Sequence, residues 1–167
     1  MSSLHALAEG LAPHLCRATS LLISRAVSRA TYITPQDAEA AFYEAIERAD
    51  LDAMLAIWAE DEEVVCVHPG GARLAGFEQV RASWTQIFKS RQRLQIQISN
   101  AVYVQGMMLS IHSVHENVTV VGEQGPRPPI VTTNVFIRTG SGWRMLVHHA
   151  SPAPQAPGPA ETSKILH

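Results

Sequence analysis

The sequence has few cysteines and no excess of charge of either sign. Its two cysteines, Cys16 and Cys66, lie far apart and neither belongs to a Cys-x-x-Cys pair, which argues against a disulfide framework or a zinc knuckle. The 13 basic and 15 acidic residues leave a formal net charge of −2, so no positive field would attract nucleic acid or an anionic membrane. No apolar run is long enough to span a bilayer. We therefore expect no nucleic-acid or membrane partner, no metal or other cofactor, and a cytoplasmic location.

The length and apolar content predict one domain with a substantial core. The chain has 167 residues, of which 46% are hydrophobic. Helical patterns come first and period-two patterns follow, in the order helix, helix, strand, helix and four strands, which is typical of an α+β fold. We expect a domain at residues 34–152 in which a curved antiparallel sheet wraps on three helices as a cone. Residues 1–33 would form a loosely helical or disordered extension, and 153–167 a disordered Pro-rich tail.

Capping signals mark the starts of the helices. Thr34 precedes a proline and stands three residues before Asp37, the pattern of a helix N-terminus. Asp50 can cap a second helix, and an amphipathic pattern predicts a third at about Phe77–Lys89. These signals place the three helices before the main run of strands.

The stretch at 130–152 predicts a β-hairpin. Two β-rich runs flank a short turn that contains Gly140 and Gly142. Because side chains alternate along a strand, each run has two faces. One face of the first run carries Thr132, Asn134, Phe136 and Arg138, and one face of the second carries Trp143, Met145, Val147 and His149. Such polar groups among apolar ones indicate the wall of a pocket, and the alternative is a half-buried hairpin whose polar groups meet water.

Several motifs together resemble one superfamily. They are the helical segment from 41–43 to 50–52, Trp-Ala-Glu-Asp at 58–61, Val-His-Pro-Gly-Gly at 67–71, Gly-Phe-Glu at 76–78, Gly-Trp-Arg-Met at 142–145 and His-His-Ala-Ser-Pro at 148–152. From residue 34 to about 154 the chain resembles a SnoaL-like member of the nuclear-transport-factor-2 superfamily, which includes the ketosteroid isomerases. Its ending is also similar to the association (hub) domain of calmodulin-dependent kinases. The resemblance implies a cone-shaped fold, usually a homodimer through the sheet.

The resemblance also implies candidate catalytic residues. Ketosteroid isomerases use a base that precedes a proline, and His68 precedes Pro69 here; an imidazole can act as a base near neutral pH. The position of their protonated aspartate falls on Asn134, whose amide could donate a hydrogen bond to a developing enolate. The position of their tyrosine falls on Phe42, with Tyr43 beside it, so the strongest enolate donor is expected to be missing.

Other residues are predicted to line the ligand site or to stay outside it. The expected lining residues are Trp58, Trp84, Phe136, Val147 and His149, although both tryptophans also suit a core and His149 also suits a sheet edge. Glu116 is expected at a solvated strand position. His112 and His115 should face opposite sides of their strand and therefore not share a metal.

Two function hypotheses follow, and the sequence leaves open whether the protein is an enzyme. The first is an isomerase-, dehydratase- or cyclase-type enzyme that transfers a proton on a small apolar carbonyl compound, with His68 as base and Asn134 as hydrogen-bond donor. The second is a non-catalytic ligand-binding or hub-like assembly domain, which the missing tyrosine favours. In both, we expect a small-molecule ligand and a homodimer.

Overall fold

The structure, a computed structural model, describes residues 30–61, 63–123, 125 and 127–154. Its elements are α1 (Pro35–Arg48), α2 (Leu51–Ile57), β1 (Val65–Val67), β2 (Arg73–Ala75), α3 (Phe77–Lys89), β3 (Leu94–Gln105), β4 (Leu109–Val120), β5 (Ile130–Thr139) and β6 (Gly142–Pro152). This is the predicted order with one addition, the short strand β2. The predictions for residues 1–29 and 155–167 lie outside the described residues.

The six strands form one open sheet in the order β2-β1-β6-β5-β4-β3. Neighbouring strands are antiparallel except β1 and β6, which are parallel. Helix α1 contacts both β3 and β6, so the sheet curves around this helix and presents its other face outward. The architecture is the predicted α+β cone, a curved sheet wrapped on three helices.

The helices begin where the capping signals predict. The Thr34 hydroxyl accepts a hydrogen bond from the Asp37 backbone at 3.0 Å, and the Asp37 carboxylate accepts one from the Thr34 backbone at 2.9 Å. This capping box is worth about 1 kcal/mol of helix stability. The Asp50 carboxylate accepts from the Ala53 backbone at 3.0 Å and starts α2 in the same way. The third helix has the predicted bounds.

A β-bulge in β6 changes which side chains of the hairpin face the helices. The register between β5 and β6 shifts by one residue at Leu146, which has no partner across on β5. Met145 and His148 are therefore both buried on the inner face. The prediction that Val147 and His149 share the inner face with Met145 is wrong, because strict alternation does not allow for an inserted residue.

The chain ahead of α1 packs against the start of β6. The backbone N–H of Trp143 donates to the Tyr32 carbonyl at 2.8 Å, and the Arg144 guanidinium donates to the Ala30 carbonyl at 2.9 Å. The same guanidinium lies 5.3 Å from the centroid of the Tyr32 ring. Gly142 has a φ of 102°, and a Cβ there would meet the Tyr32 carbonyl at 2.5 Å, so this close approach requires glycine.

The hydrophobic core lies between the helices and the inner face of the sheet. Its largest fully buried apolar side chains are Phe42, Met54, Ile57, Trp58, Phe136 and Met145. Among the described residues, no helix has both the length and the apolar character that crossing a membrane requires. The core is interrupted by a group of buried polar side chains, which defines the candidate site.

Candidate functional site

Asn134, on the inner face of β5, lies at the centre of these buried polar side chains. Its Nδ2 donates to the Tyr43 hydroxyl at 3.1 Å and to Glu39 Oε1 at 3.3 Å. Its Oδ1 lies 2.8 Å from His148 Nδ1. An amide has two hydrogens, so both are engaged by the protein itself. The donor that the sequence analysis assigns to a ligand is thus used to join α1, β5 and β6.

Tyr43 connects Asn134 to a buried carboxyl group. The Tyr43 hydroxyl donates to Glu116 Oε1, on β4, at 3.0 Å. Burial, followed by the charges of Glu116 and Glu39, raises the pKa of Tyr43, and burial also raises the pKa of Glu116. The prediction that Glu116 is solvated is wrong, because it is only 5% exposed. Tyr43 joins these buried polar side chains, and its hydroxyl hydrogen is donated to Glu116.

Helix α1 can place Tyr43 in this group because the helix packs against both α3 and the sheet. Phe42 and Tyr43 are both buried. The Phe42 ring contacts Trp84 of α3 edge to face at 5.6 Å between centroids, whereas Tyr43 reaches the sheet. Counting along a single apolar face of the helix therefore misses the second residue.

Glu39 and His112 extend the polar contacts toward the turn between β3 and β4. His112 Nδ1 lies 3.0 Å from Glu39 Oε2, a close contact that is not aligned as a linear hydrogen bond. His112 Nε2 lies 3.1 Å from the Ser110 hydroxyl. The half-exposed ring of Tyr103 covers His112 edge to face, with 4.5 Å between the centroids. As predicted, His112 and His115 face opposite sides, since His112 is fully buried and His115 is not.

His148 rather than His149 faces the interior. Burial, with smaller contributions from His68 and His149, lowers the pKa of His148 to about 3, so the ring is neutral at pH 7. Since Asn134 Oδ1 can only accept, the neutral ring carries its hydrogen on Nδ1 and leaves Nε2 as an acceptor. His149 is exposed and Val147 is half-buried on the outer face, so neither is placed to line an interior site.

We call these residues the polar cluster. It consists of Glu39, Tyr43, His112, Glu116, Asn134 and His148. Sequence reasoning missed most of it, although two signals were present. Glu39 and Tyr43 are one helical turn apart beside the apolar face of α1, and Ser110, His112, Val114 and Glu116 alternate along β4 on one face. The burial of polar groups of this kind needs a structural or functional explanation, because most proteins place such groups at the surface.

His68 lies at the end of β1 and borders the polar cluster. Its Nε2 is 2.8 Å from the Ser83 hydroxyl on α3, and the Cys66 thiol is 3.6 Å from the same nitrogen. Its ring packs edge to face on Trp84 at 4.9 Å and lies 6.3 Å from the ring of His148. Burial lowers the pKa of His68, so the ring is uncharged at neutral pH and one of its two nitrogens can accept a proton.

The aromatic residues predicted to line the site have different surroundings. Trp84 lies between His68 and Phe42, with ring centroids 4.9 and 5.6 Å away. Phe136 packs against His112 at 4.9 Å. Trp58 is fully buried in the core and bridges to Met145 at the end of α2. The structure thus brings Trp84 and Phe136 against histidines of the interior and places Trp58 in the buried core.

No permanent cation faces the polar cluster in the described part of the chain. Arg144 is buried, but its guanidinium points to backbone carbonyls and Tyr32. Within residues 30–61, 63–123, 125 and 127–154, no group of three or more metal-ligating side chains converges. Two depressions of about 280 and 400 Å³ lie at the sheet surface and contain neither His68 nor Asn134. The interior chemistry therefore depends on imidazole, carboxyl, phenol and amide groups.

The fold and this interior define a class of protein, the cone-shaped α+β domains related to nuclear transport factor 2. The sequence profile of the SnoaL-like domain matches residues 36–155, most of the chain. The chain belongs to the SnoaL-like domain family. Membership of the family does not define an activity, because one fold hosts many functions.

Solved structures and one curated relative agree with this placement. The chain is similar to a candidate calcium/calmodulin-dependent protein kinase type II association domain from Thiobacillus denitrificans (42% identity, 75% of this chain, 99% of that chain, TM-score 0.70). It is also similar to a candidate dehydratase of the NTF2-like family from Streptomyces avermitilis (31% identity, 71% of this chain, 92% of that chain, TM-score 0.65). An F-box protein from Arabidopsis thaliana, SKIP8, is 27% identical over 110 residues. The match covers 66% of this chain and 46% of that relative, so the chain spans less than half its length.

Proposed function

We propose that the protein binds a small apolar carbonyl compound and transfers a proton on it, a reaction of the isomerase, dehydratase or cyclase kind. The main support for the proposal is that His68 and Asn134, which are distant in sequence, lie on either side of His148. The two imidazole rings are 6.3 Å apart, and His148 Nδ1 lies 2.8 Å from Asn134 Oδ1. A neutral imidazole beside an apolar ring is suited to remove a proton next to a carbonyl group.

The residues take separate roles in this proposal. His68 is the catalytic base, since its lowered pKa keeps it unprotonated at pH 7. Asn134 is a positioning residue, because its amide already holds Tyr43, Glu39 and His148. Trp84 and Phe136 keep the predicted role of lining residues beside the ligand. The similarity to a candidate dehydratase from Streptomyces avermitilis supports this reaction class.

The experiment measures exchange of α-protons, which needs no knowledge of the natural substrate. A panel of small apolar ketones is incubated with the protein in D2O, and deuterium incorporation is followed by NMR. We expect the wild-type protein to accelerate exchange for at least one ketone. His68→Ala should remove this acceleration, and Asn134→Ala should reduce it about 100-fold by disordering the polar cluster.

The matched control is His149→Ala, which removes an exposed imidazole three positions from the hairpin bulge and should leave exchange unchanged. Circular dichroism establishes that each variant is folded. If His68→Ala and Asn134→Ala both exchange protons at the wild-type rate, the catalytic assignment fails.

A second candidate function is a non-catalytic assembly domain. The outer face of the sheet carries an exposed apolar surface, which we call the outer patch, formed by Val102, Val104, Met107, Met108, Leu109 and Ile111. The exposed fractions of these side chains lie between 42% and 84%. Such a contiguous patch is typical of an interaction surface. The similarity to a candidate kinase association domain favours this function, and we propose that two copies dimerise through the outer patch.

We also propose a cytoplasmic location. Cys66 is a fully buried free thiol, and burial raises its pKa to about 12, so it persists as a thiol. Fractionation of cells that express the full chain, followed by immunoblotting, tests this proposal. Recovery of the protein with secreted or membrane fractions would contradict it.

A further inference from the structure

Trp84 has a buried polar atom that the fold leaves unused. The residue lies on α3 and is 3% exposed, and its indole Nε1 has no hydrogen-bond partner within the described part of the chain. Its ring is surrounded by Phe42, Phe88 and His68, with centroids 5.6, 5.5 and 4.9 Å away. A buried N–H without an acceptor is unfavourable and rare in native proteins, so it points to an acceptor that is not part of the fold.

The donors of Asn134, Tyr43 and His148 are already engaged. Both amide hydrogens of Asn134 are donated to protein oxygens, and the hydroxyl hydrogen of Tyr43 is donated to Glu116. The Nδ1 hydrogen of His148 is donated to Asn134. Beside His68, the indole N–H of Trp84 is therefore the donor that can meet a ligand without breaking an existing hydrogen bond.

We propose that the indole N–H of Trp84 donates a hydrogen bond to the oxygen atom of a neutral carbonyl ligand held beside His68. This inference rests on the proposed function and adds one part to it, the group that binds the carbonyl oxygen. Trp84 contacts His68 at 4.9 Å, so one small ligand can reach both side chains. A carbonyl oxygen is an acceptor with two lone pairs, and in water-poor surroundings this hydrogen bond strengthens as negative charge develops on the oxygen.

The first test uses the indole signals of the ¹⁵N-labelled full chain with cyclohexanone as the probe. The protein has 3 tryptophans, so 3 indole cross-peaks are expected, and Trp84→Phe identifies the relevant one. We expect addition of cyclohexanone to move the Trp84 indole proton downfield, with smaller changes at the other two. A stationary Trp84 signal, while the ring signals of His68 respond to the ketone, overturns the inference and leaves the proposed function standing.

The second test compares the affinity of two variants for cyclohexanone. Trp84→Phe keeps an aromatic ring but removes the N–H, and we expect roughly tenfold weaker binding. Trp143→Phe is the matched control, because it removes an indole N–H at the far end of the hairpin, and its affinity should equal that of the wild type. Equal affinity of Trp84→Phe and wild type overturns the inference. If the wild-type protein binds none of the ketones in the panel, the proposed function fails and the inference with it.

Discussion

The two faces of the sheet place polar and apolar side chains in opposite ways. The inner face buries the polar cluster inside a hydrophobic core, whereas the outer face exposes the apolar residues of the outer patch. Both arrangements are unfavourable for an isolated folded chain, because a buried polar group must be satisfied and an exposed apolar patch favours association. In the functions proposed above, the inner face would serve binding or chemistry in the interior, and the outer face would serve contact with a second copy of the chain.

The largest expected effect on stability comes from removing the amide of Asn134 at the centre of the polar cluster. Asn134→Leu keeps the volume of the side chain but leaves Tyr43, Glu39 and His148 without their shared partner. We expect the free energy of unfolding to fall by about 3 kcal/mol, measured by urea denaturation. Thr133→Ala, the next residue on the outer face, should cost less than about 1 kcal/mol. Equal losses for the two variants would show that the polar cluster is not stabilising.

The next prediction changes the outer patch and leaves the interior untouched. We expect Ile111→Lys to weaken a dimer by about 2 kcal/mol, roughly 30-fold in dissociation constant, because it places a charge in an apolar contact. The measurement is sedimentation velocity over a range of concentrations. Thr119→Lys lies on the same face of β4 outside the patch and should leave the dimer unchanged. A wild-type protein that remains monomeric at all concentrations would refute the proposed dimer.

Acid should destabilise the protein through the inner face. The pKa of His148 is about 3 in the folded protein, against an ordinary value of 6.5. The stability that the neutral His148 contributes is therefore fully present above pH 6.5. It is lost as the pH falls toward 3, because in that range only the unfolded chain binds a proton at this residue. The expected loss from pH 7 to pH 5 is about 2 kcal/mol, and His148→Gln should remove most of it. His149→Gln, on the outer face, removes only one of the smaller contributions to the lowered pKa of His148 and should leave most of the pH dependence in place.

The smallest expected effect concerns the buried carboxyl group of Glu116. Because its pKa is raised by burial, folding becomes less favourable as the pH rises from 4.5 toward the folded-state pKa. Glu116→Gln removes this penalty and keeps an acceptor for the Tyr43 hydroxyl. We expect a gain in unfolding free energy of less than about 1 kcal/mol at pH 7 that disappears below pH 4.5, measured by denaturation at both pH values. A gain that persists in acid would point to another cause.

The sequence predicted the fold better than the candidate site. Caps such as Thr34 and Asp50 are local signals, so the helix starts could be read directly. The polar cluster depends instead on where three strands and α1 meet, which local patterns do not encode. The sequence does not reveal the role of Tyr43, because the resemblance matches the family's tyrosine to Phe42, or that of Glu116, because carboxylates are mostly solvated. His149 was chosen over His148 because a bulge has no reliable signature in sequence.

The bulge at Leu146 makes the identity of the inward imidazole depend on a single inserted position. Two histidines stand side by side, and the one that reaches the amide of Asn134 is selected by the local strand register alone. If the strand kept all its residues but lost the bulge, Val147 would stand opposite Asn134 and His149 would turn inward in place of His148. The interior chemistry of this chain therefore depends on how β5 and β6 are aligned as well as on which side chains they carry, a dependence that residue types alone would not reveal.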